Sequence, residues 1–222
     1  MKWPIVKLGK LTKIKTGKLD ANAANEDGAY PFFTCAARPS SINTPAFDCK
    51  AVLVAGNGDL NVKYYEGKFN AYQRTYVIES LDEGTLLPRY LFLFLEKYVG
   101  RLRELAIGGV IKYIKLGNLT DAEIPLPPLA EQKRIAAILD KAEEIRCKRE
   151  QAIEKLDQLA QSIFLEMFGG NRNWEKVRIS NVIEKVESCS PEKTFDQHFT
   201  YVDISSINNT DKKISHPKRL HV

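Results

Sequence analysis

Several side chains suited to contacts with DNA base edges stand in segments that have the composition of loops. Arginine can donate two hydrogen bonds to guanine, and asparagine or glutamine can form a matching pair of bonds with adenine. The candidates of these types are Arg38, Asn57, Asn61, Gln73 and Arg74. These side chains are compatible with a base-reading surface, and an ordinary turn explains Gly56-Asn57-Gly58-Asp59 equally well, because Asn and Gly tolerate a positive φ.

Basic residues suited to phosphate contacts are concentrated in two places. Near the start of the chain the lysines are Lys2, Lys7, Lys10, Lys13, Lys15 and Lys18, opposed by Asp20 alone. Lys13, Lys15 and Lys18 are the candidates there, since lysine contacts to phosphate position DNA without reading its sequence. Lys112, Tyr113 and Lys115 form a second, basic and aromatic strip. A solvated basic face remains an alternative for each lysine.

The sequence contains no evident catalytic or metal-binding motif, so we expect no catalytic residue, no metal and no cofactor. It lacks a P-loop and a nucleophile elbow, and Pro127-Pro128 lies between leucines rather than in the loop that holds the target amine of an amino-methyltransferase. The four cysteines are too widely spaced for a zinc site. Glu66-Gly67-Lys68, with Asp48 or Asp59 upstream, weakly resembles the metal-binding core of restriction nucleases and leaves a metal-dependent nuclease as one alternative.

Composition places the chain among ordinary globular proteins of one or two domains. It has 222 residues, of which 44% are hydrophobic and 27% charged, with 33 Lys and Arg against 28 Asp and Glu. The excess positive charge lies in residues 1–128, whereas residues 129–168 are nearly neutral. Its apolar runs are too short to span a bilayer, and residues 1–4 lack the start of a signal peptide. We therefore expect a cytoplasmic protein without a membrane partner.

A long helix is predicted over residues 129–168. This segment contains neither Gly nor Pro, follows Pro127-Pro128 and ends before Gly169-Gly170. A heptad seam runs along it, and eight of its ten positions are apolar: Ile135, Ile138, Ala142, Ile145, Ala152, Leu156, Leu159 and Ile163. A helix of roughly 60 Å cannot bury this seam against one small domain, which predicts a partner helix and permits a homodimer. The heptad seam is polar at its middle, near Arg149. Either this charged position fixes the register of helix pairing, or this turn of the helix is simply solvated.

Residues 1–128 read as a compact mixed α/β domain, so the predicted class is α+β: a globular domain followed by a coiled-coil-forming helix. Ala51–Ala55 is predicted to be a buried strand and Tyr72–Ile78 another strand. Tyr90–Leu105 has the apolar spacing of an amphipathic helix, and Val110–Leu116 returns to an extended pattern.

Residues 169–222 repeat the start of the chain at an offset of 171. The offset pairs Trp3 with Trp174, Leu8 with Ile179 and Tyr30 with Tyr201, and it also matches Val6, Lys7 and Leu11 to similar residues. The segment therefore reads as the beginning of a second, incomplete copy of the first domain, in a fragment or a truncated product of a two-repeat protein.

The junction between the domain and the helix carries a family resemblance. The segment 124–135, I-P-L-P-P-L-A-E-Q-K-R-I, resembles the specificity (S) subunits of type I restriction–modification enzymes. The continuation 159–164, L-A-Q-S-I-F, and the upstream segments V-A-G-N-G-D at 54–59 and Y-Q-R-T-Y-V at 72–77 are similar to that family as well.

The resemblance implies a non-catalytic reader of double-stranded DNA. Residues 1–128 would be a target-recognition domain, 129–168 a conserved spacer helix and 169–222 the start of a second recognition domain. Each domain would read half of a bipartite site, and the helices would pair antiparallel. Methyltransferase subunits would dock, bringing restriction subunits with them, and S-adenosylmethionine and ATP would belong to those partners. A coiled-coil adaptor without a DNA role remains an alternative.

Overall fold

The computed structural model describes residues 3–169, 175, 177–184, 198–208, 213–215 and 217–221. Within these ranges the chain is α+β, with a sheet domain followed by a long helix, which confirms the predicted class. No helix in the described part of the chain has the length and apolar character needed to cross a membrane.

Six strands form the main sheet: β2 (Thr12–Thr16), β3 (Tyr30–Phe33), β4 (Ser40–Ile42), β5 (Phe47–Ala55), β6 (Val62–Ala71) and β7 (Thr75–Ser80). Their order in the sheet is β2-β7-β5-β6-β3-β4. Neighbouring strands are antiparallel except β3 and β6, which run parallel.

The central strand β5 is buried on both faces, which explains its nearly continuous apolar sequence. Val52 and Val54 pack into one core together with Leu91 and Leu95 of helix α1 (Pro88–Leu105). Ala51 and Leu53 point to the other face, into a second cluster that contains Phe69. Alternate residues of a strand point to opposite faces, so one strand supplies both cores. The strand predicted at Ala51–Ala55 is thus confirmed, and it begins four residues earlier, at Phe47.

Two other predicted elements change at their boundaries. The predicted strand Tyr72–Ile78 begins only at Thr75, because residues 72–74 form the turn between β6 and β7, where the Thr75 N–H donates to the Tyr72 carbonyl at 2.8 Å. The predicted helix Tyr90–Leu105 begins two residues earlier, at Pro88. Proline suits the first turn of a helix, whose N–H groups lack intrahelical acceptors.

The extended segment predicted over Val110–Leu116 is wrong. Gly108 has φ +122° and the chain reverses there, so Ile107 and Tyr113 pair only through an isolated bridge. Leu116 already belongs to helix α2 (Leu116–Thr120), which starts where the Asn118 side chain accepts a hydrogen bond from the Lys115 N–H.

The beginning and the end of the domain meet in a small second sheet. Strand β1 (Ile5–Lys7) pairs antiparallel with β8 (Glu123–Pro125), and Ile5 lies opposite Pro125. The Leu8 N–H donates to the Ala122 carbonyl at 2.8 Å, and Leu8 is fully buried. The chain therefore enters and leaves the domain at neighbouring points.

Helix α3 (Leu129–Gly169) follows directly and confirms the predicted long helix. Gln132 and Ala136 are its buried residues, and Ile135 is half-buried against the main core. The remaining large side chains of the predicted seam are exposed: Ile138, Ile145, Leu156, Leu159 and Ile163. Leu156 is 64% exposed, so this single chain leaves most of the seam uncovered.

A buried amide holds the first turn of α3 against the start of α1. Gln132 Oε1 accepts from the Leu87 N–H at 2.9 Å, and Gln132 Nε2 donates to the carbonyls of Thr85 (2.8 Å) and Pro127 (2.9 Å). Leu87 is the N-cap of α1, and its own side chain makes no capping bond. One glutamine thus satisfies three backbone groups from two connecting segments.

The chain separates into two compact units, Met1–Gln158 and Leu159–Val222. In the second unit, β9 (His198–Tyr201) and β10 (Lys218–His221) form an antiparallel pair.

The sequence repeat is visible in the backbone. A 3₁₀ turn at Leu8–Lys10 recurs at Ile179–Asn181, an offset of 171. Its flanking dihedrals recur too: Lys7 has φ −66° and ψ 132°, and Arg178 has φ −71° and ψ 139°. Trp174 lies outside the described residues. Whereas Leu8 is fully buried, Ile179 is exposed.

We predict that Gln132→Leu lowers the free energy of unfolding by about 3 kcal/mol, since it leaves one buried N–H and two carbonyls without partners. Urea unfolding followed by circular dichroism measures this change. Lys133→Leu on the next, exposed position is the matched control and should shift stability by less than about 0.5 kcal/mol. Equal effects of the two variants would contradict the proposed role of the amide.

Candidate nucleic-acid interface

Five chain segments come together around the turn that joins β6 to β7. They leave the ends of β2, β3, β5, β6 and α1, and they cover residues 17–20, 34–39, 56–61, 72–74 and 106–115. Backbone hydrogen bonds join four of them, and the Asn61 side chain attaches the 34–39 segment by donating to the Cys35 carbonyl. Most of the predicted base-reading and basic residues lie in this group of segments, which we call the loop end.

The 72–74 turn is the centre of the loop end. The Gln73 N–H donates to the Leu19 carbonyl, and the Tyr72 N–H donates to the Phe33 carbonyl, each at 2.9 Å. The Arg74 carbonyl accepts from the Gly56 N–H at 2.8 Å. A Cβ at Gly56 would lie 2.4 Å from that carbonyl oxygen, so only glycine permits this approach. The turn places the exposed side chains of Gln73 and Arg74 where three segments meet.

Asn57, Asn61 and Cys35 form a polar cluster beside this turn. The Cys35 thiol donates to Asn57 Oδ1 at 2.9 Å, and Asn61 Nδ2 donates to the carbonyls of Cys35 (2.8 Å) and Asp59 (2.9 Å). The amide of Asn61 is therefore engaged within the protein and holds the 34–39 segment against the turn after β5. Asn57 uses its carbonyl oxygen internally, which directs its Nδ2 donor elsewhere.

Lys63 completes this cluster and is not among the residues that the sequence indicates. Its ammonium group donates to Asn61 Oδ1. Burial lowers the pKa of Lys63 below its ordinary value. Its position within β6 hid it from sequence reasoning, because a lysine in a strand reads as an ordinary solvent-facing residue.

The 106–115 segment is tied to the same turn. The Gly58 N–H donates to the Lys112 carbonyl at 3.0 Å, and the Ile114 N–H donates to the Gly56 carbonyl at 2.9 Å. The Tyr76 hydroxyl donates to the Ile114 carbonyl at 3.2 Å, and burial raises the pKa of this phenol, which keeps the donor protonated. These contacts bring Lys112, Tyr113 and Lys115 beside Asn57.

Not every predicted residue belongs to the loop end. Lys18 lies there, at the exit of β2, and Arg38 lies in the exposed 34–39 segment. Lys13 and Lys15 lie further back on β2 itself, and Lys13 is the cross-strand partner of Glu79. They therefore form a mixed-charge strip along an edge strand.

The carboxylates that suggested a nuclease do not converge. Glu66 lies in the middle of β6, and Lys50 Nζ approaches its carboxylate to 4.0 Å. Asp48 is the cross-strand partner of Lys68, and Asp59 is ion-paired with Arg103 at 3.0 Å. Within the described residues, no group of three or more His, Cys, Asp or Glu side chains is placed to hold a metal ion.

The loop end has the features of a surface that can contact DNA. Amide and guanidinium groups project from turns whose backbones are held by hydrogen bonds, which suits contacts to base edges. Cationic side chains outnumber carboxylates around them, and they comprise Lys18, Arg38, Lys63, Arg74, Lys112 and Lys115 against Asp20 and Asp59. Such an excess favours a polyanion.

Comparisons with known proteins agree with this geometry. Residues 1–158 match the family described as "Type I restriction modification DNA specificity domain". The chain is 44% identical, over 172 residues, to the type I restriction enzyme EcoDI specificity subunit of Escherichia coli, which covers 76% of this chain and 38% of that protein.

Solved structures show the same fold. The S subunit of a type I restriction–modification system from M. genitalium superposes with a TM-score of 0.60 at 21% identity, covering 77% of this chain and 47% of that one. The HsdS subunit from Thermoanaerobacter tengcongensis gives 0.56 at 23% identity, covering 76% and 45%. The present chain thus spans less than half the length of these relatives.

We predict that Asn61→Ala destabilises the domain by about 1–3 kcal/mol, because the two carbonyls and the ammonium group that its amide serves lose a partner. Asn57→Ala should cost less, about 0.5–1 kcal/mol, since it removes only a weak thiol contact. Urea unfolding of both variants tests this order. A larger loss for Asn57→Ala would contradict the assignment of Asn61 to the framework.

Proposed function

Since this chain belongs to the type I restriction modification DNA specificity family, we propose that it is the DNA-reading part of a restriction–modification complex. It binds double-stranded DNA, reads half of a bipartite site and catalyses no reaction itself. It acts in the cytoplasm, with no membrane partner.

The convergence of the five segments at the loop end is the observation that carries this proposal. Residues far apart in sequence, such as Lys18, Asn57, Arg74 and Lys115, come together on turns whose backbones bond to one another. A rigid surface with many donors and excess positive charge combines the two requirements of a specific DNA reader, which are phosphate positioning and base contacts.

The domain roles follow from this proposal. Residues 1–128 are the recognition domain, residues 129–168 the spacer helix, and residues 169–222 the beginning of a second recognition domain. The backbone repeat between Leu8–Lys10 and Ile179–Asn181 supports the last assignment. The match covers only 38% of the EcoDI specificity subunit, which supports it as well.

The partners are methyltransferase subunits and, through them, restriction subunits. The family resemblance implies that S-adenosylmethionine and ATP belong to those partners. The exposed apolar seam of α3 supports helix pairing, either with a second conserved helix or with another copy of this chain. In a homodimer the two loop ends would restore a two-part reader.

The seam favours an antiparallel arrangement about a two-fold axis near residues 150 and 151. A parallel pair would set Arg149 against Arg149, and like charges that face each other are unfavourable. The antiparallel pair sets Arg149 beside Ala152 of the other copy, where a long side chain has room. The same register pairs Ile138 with Ile163, Ala142 with Leu159, and Ile145 with Leu156.

We predict that Asn57→Ala or Arg74→Ala changes the recognised sequence and weakens binding to the original site by about 1–3 kcal/mol. Sequencing of methylated sites in cells that carry the matching methyltransferase subunit measures the preference. Lys18→Ala and Lys115→Ala, at the loop end, are the controls and should weaken all sequences alike, each lowering the salt slope of binding by about one.

Two results would contradict the proposal. One is a complex assembled with its methyltransferase that binds no specific duplex, which would favour the adaptor. The other is methylation or Mg²⁺-dependent cleavage by the isolated chain, and loss of that cleavage in Glu66→Ala would favour a nuclease.

We predict that replacing Ile145 and Leu156 with Asp converts a dimer into a monomer, because it sets carboxylates against each other in the antiparallel seam. Light scattering of the purified chain measures the mass. Replacing the exposed Lys141 and Lys155 with Gln is the control and should leave the dimer intact. An unchanged mass in the Asp variant would mean that the seam is reserved for another partner.

A further inference from the structure

A short finger projects from the loop end between α1 and α2. Ile107 and Tyr113 form its base, where each N–H donates to the other's carbonyl, at 3.0 and 2.9 Å. Gly108 turns the chain with φ +122°, and a Cβ there would lie 2.5 Å from the Ile111 carbonyl oxygen. Only glycine is compatible with this position, so the sequence specifies the turn.

The tip of the finger is apolar and exposed. Val110 is fully exposed and Ile111 is 63% exposed. Both are β-branched, so few rotamers are open to them and little side-chain entropy is lost when they are buried. Two adjacent apolar side chains that no residue of their own domain covers gain free energy only when another molecule removes them from water.

The position of the finger identifies that molecule as DNA rather than protein. The Lys112 carbonyl holds the finger to Gly58, next to Asn57 and within the surface that we assign to base reading. Exposed Lys112 is next to the tip and exposed Lys115 follows the base of the finger, and cations near an apolar tip match a groove lined by phosphates. An apolar protein surface would gain nothing from these two charges.

We propose that the finger enters a groove of the bound DNA and buries Val110 and Ile111 against the bases. This inference rests on the proposed function and adds an apolar contact to the polar readout. Two features of DNA offer the required apolar surface: the C5-methyl group of thymine in the major groove, and the face of a base exposed when a step is partly unstacked.

The test uses the complex assembled with its methyltransferase subunit, and a duplex that carries the site defined by methylation sequencing. The double variant Val110→Ser/Ile111→Ser should bind this duplex about tenfold more weakly, with an unchanged salt slope, because no phosphate contact is removed. The double variant Val110→Leu/Ile111→Leu should retain most of the affinity. Leu81→Ser, at another exposed apolar residue, is the matched control and should have no effect on binding.

Two modified duplexes distinguish the sources of the apolar surface. Uracil in place of one thymine should reproduce the loss caused by the serine variant if the finger contacts a methyl group. 2-Aminopurine beside the contacted step should brighten with the wild-type complex, and not with the serine variant, if the finger exposes a base face.

Three outcomes separate the possible failures. Wild-type affinity in the serine variant, with neither duplex responding, overturns the inference and leaves the proposed function standing. Loss of methyltransferase assembly in the serine variant also overturns it, since the tip would then contact protein. A wild-type complex without sequence preference would contradict the proposed function itself.

Discussion

The arrangement of this protein depends on the buried amide of Gln132. It bonds to the connection that precedes α1 and to the proline segment that precedes α3, so both helices are fixed to the same backbone. Helix α1 begins at this anchor and is about 27 Å long at 1.5 Å per residue. In its last turn, Arg103 bonds to Asp59 and to the Leu60 carbonyl at the loop end. The amide thus ties the start of α3 to the start of the helix whose other end reaches the loop end.

The loop end is rigid although little of it is regular structure. Its segments satisfy their backbone groups by bonding to one another, as Gln73 does with Leu19 and Gly56 with Arg74. A buried backbone group without a partner is costly, and mutual bonding removes that cost without extending a strand. Side chains outside these bonds can vary while the framework persists. The backbone framework of the loop end therefore does not depend on the identity of these exposed side chains.

Local sequence was sufficient for features that depend on local physics. The bounds of α3 were predicted within one residue, because a proline pair precedes a segment free of Gly and Pro. β5 was evident because burial on both faces leaves it apolar throughout. Contacts across the chain could not be read in this way. No local pattern indicated the contact between Lys63 and Asn61, Asn61 proved to be engaged in holding a turn, and the reversal at Gly108 replaced an expected extended segment. Gln132 belongs to the 124–135 segment that carries the family resemblance, yet its three hydrogen bonds to backbone groups are evident only in the folded structure.

The pairing of β1 with β8 has an evolutionary consequence. Ile5 of β1 lies opposite Pro125 of β8. The polypeptide between them therefore begins and ends at neighbouring points, shortly before the start of α3. A recombination event with one crossover near residue 5 and the other near residue 125 would replace the sheet domain and leave the sequence of α3 unchanged. Helix α3 would be unchanged, and its attachment would be kept wherever the new segment offers Gln132 backbone groups equivalent to those of Thr85 and Leu87. Under the proposed function, such an exchange would replace the whole recognition surface in one step.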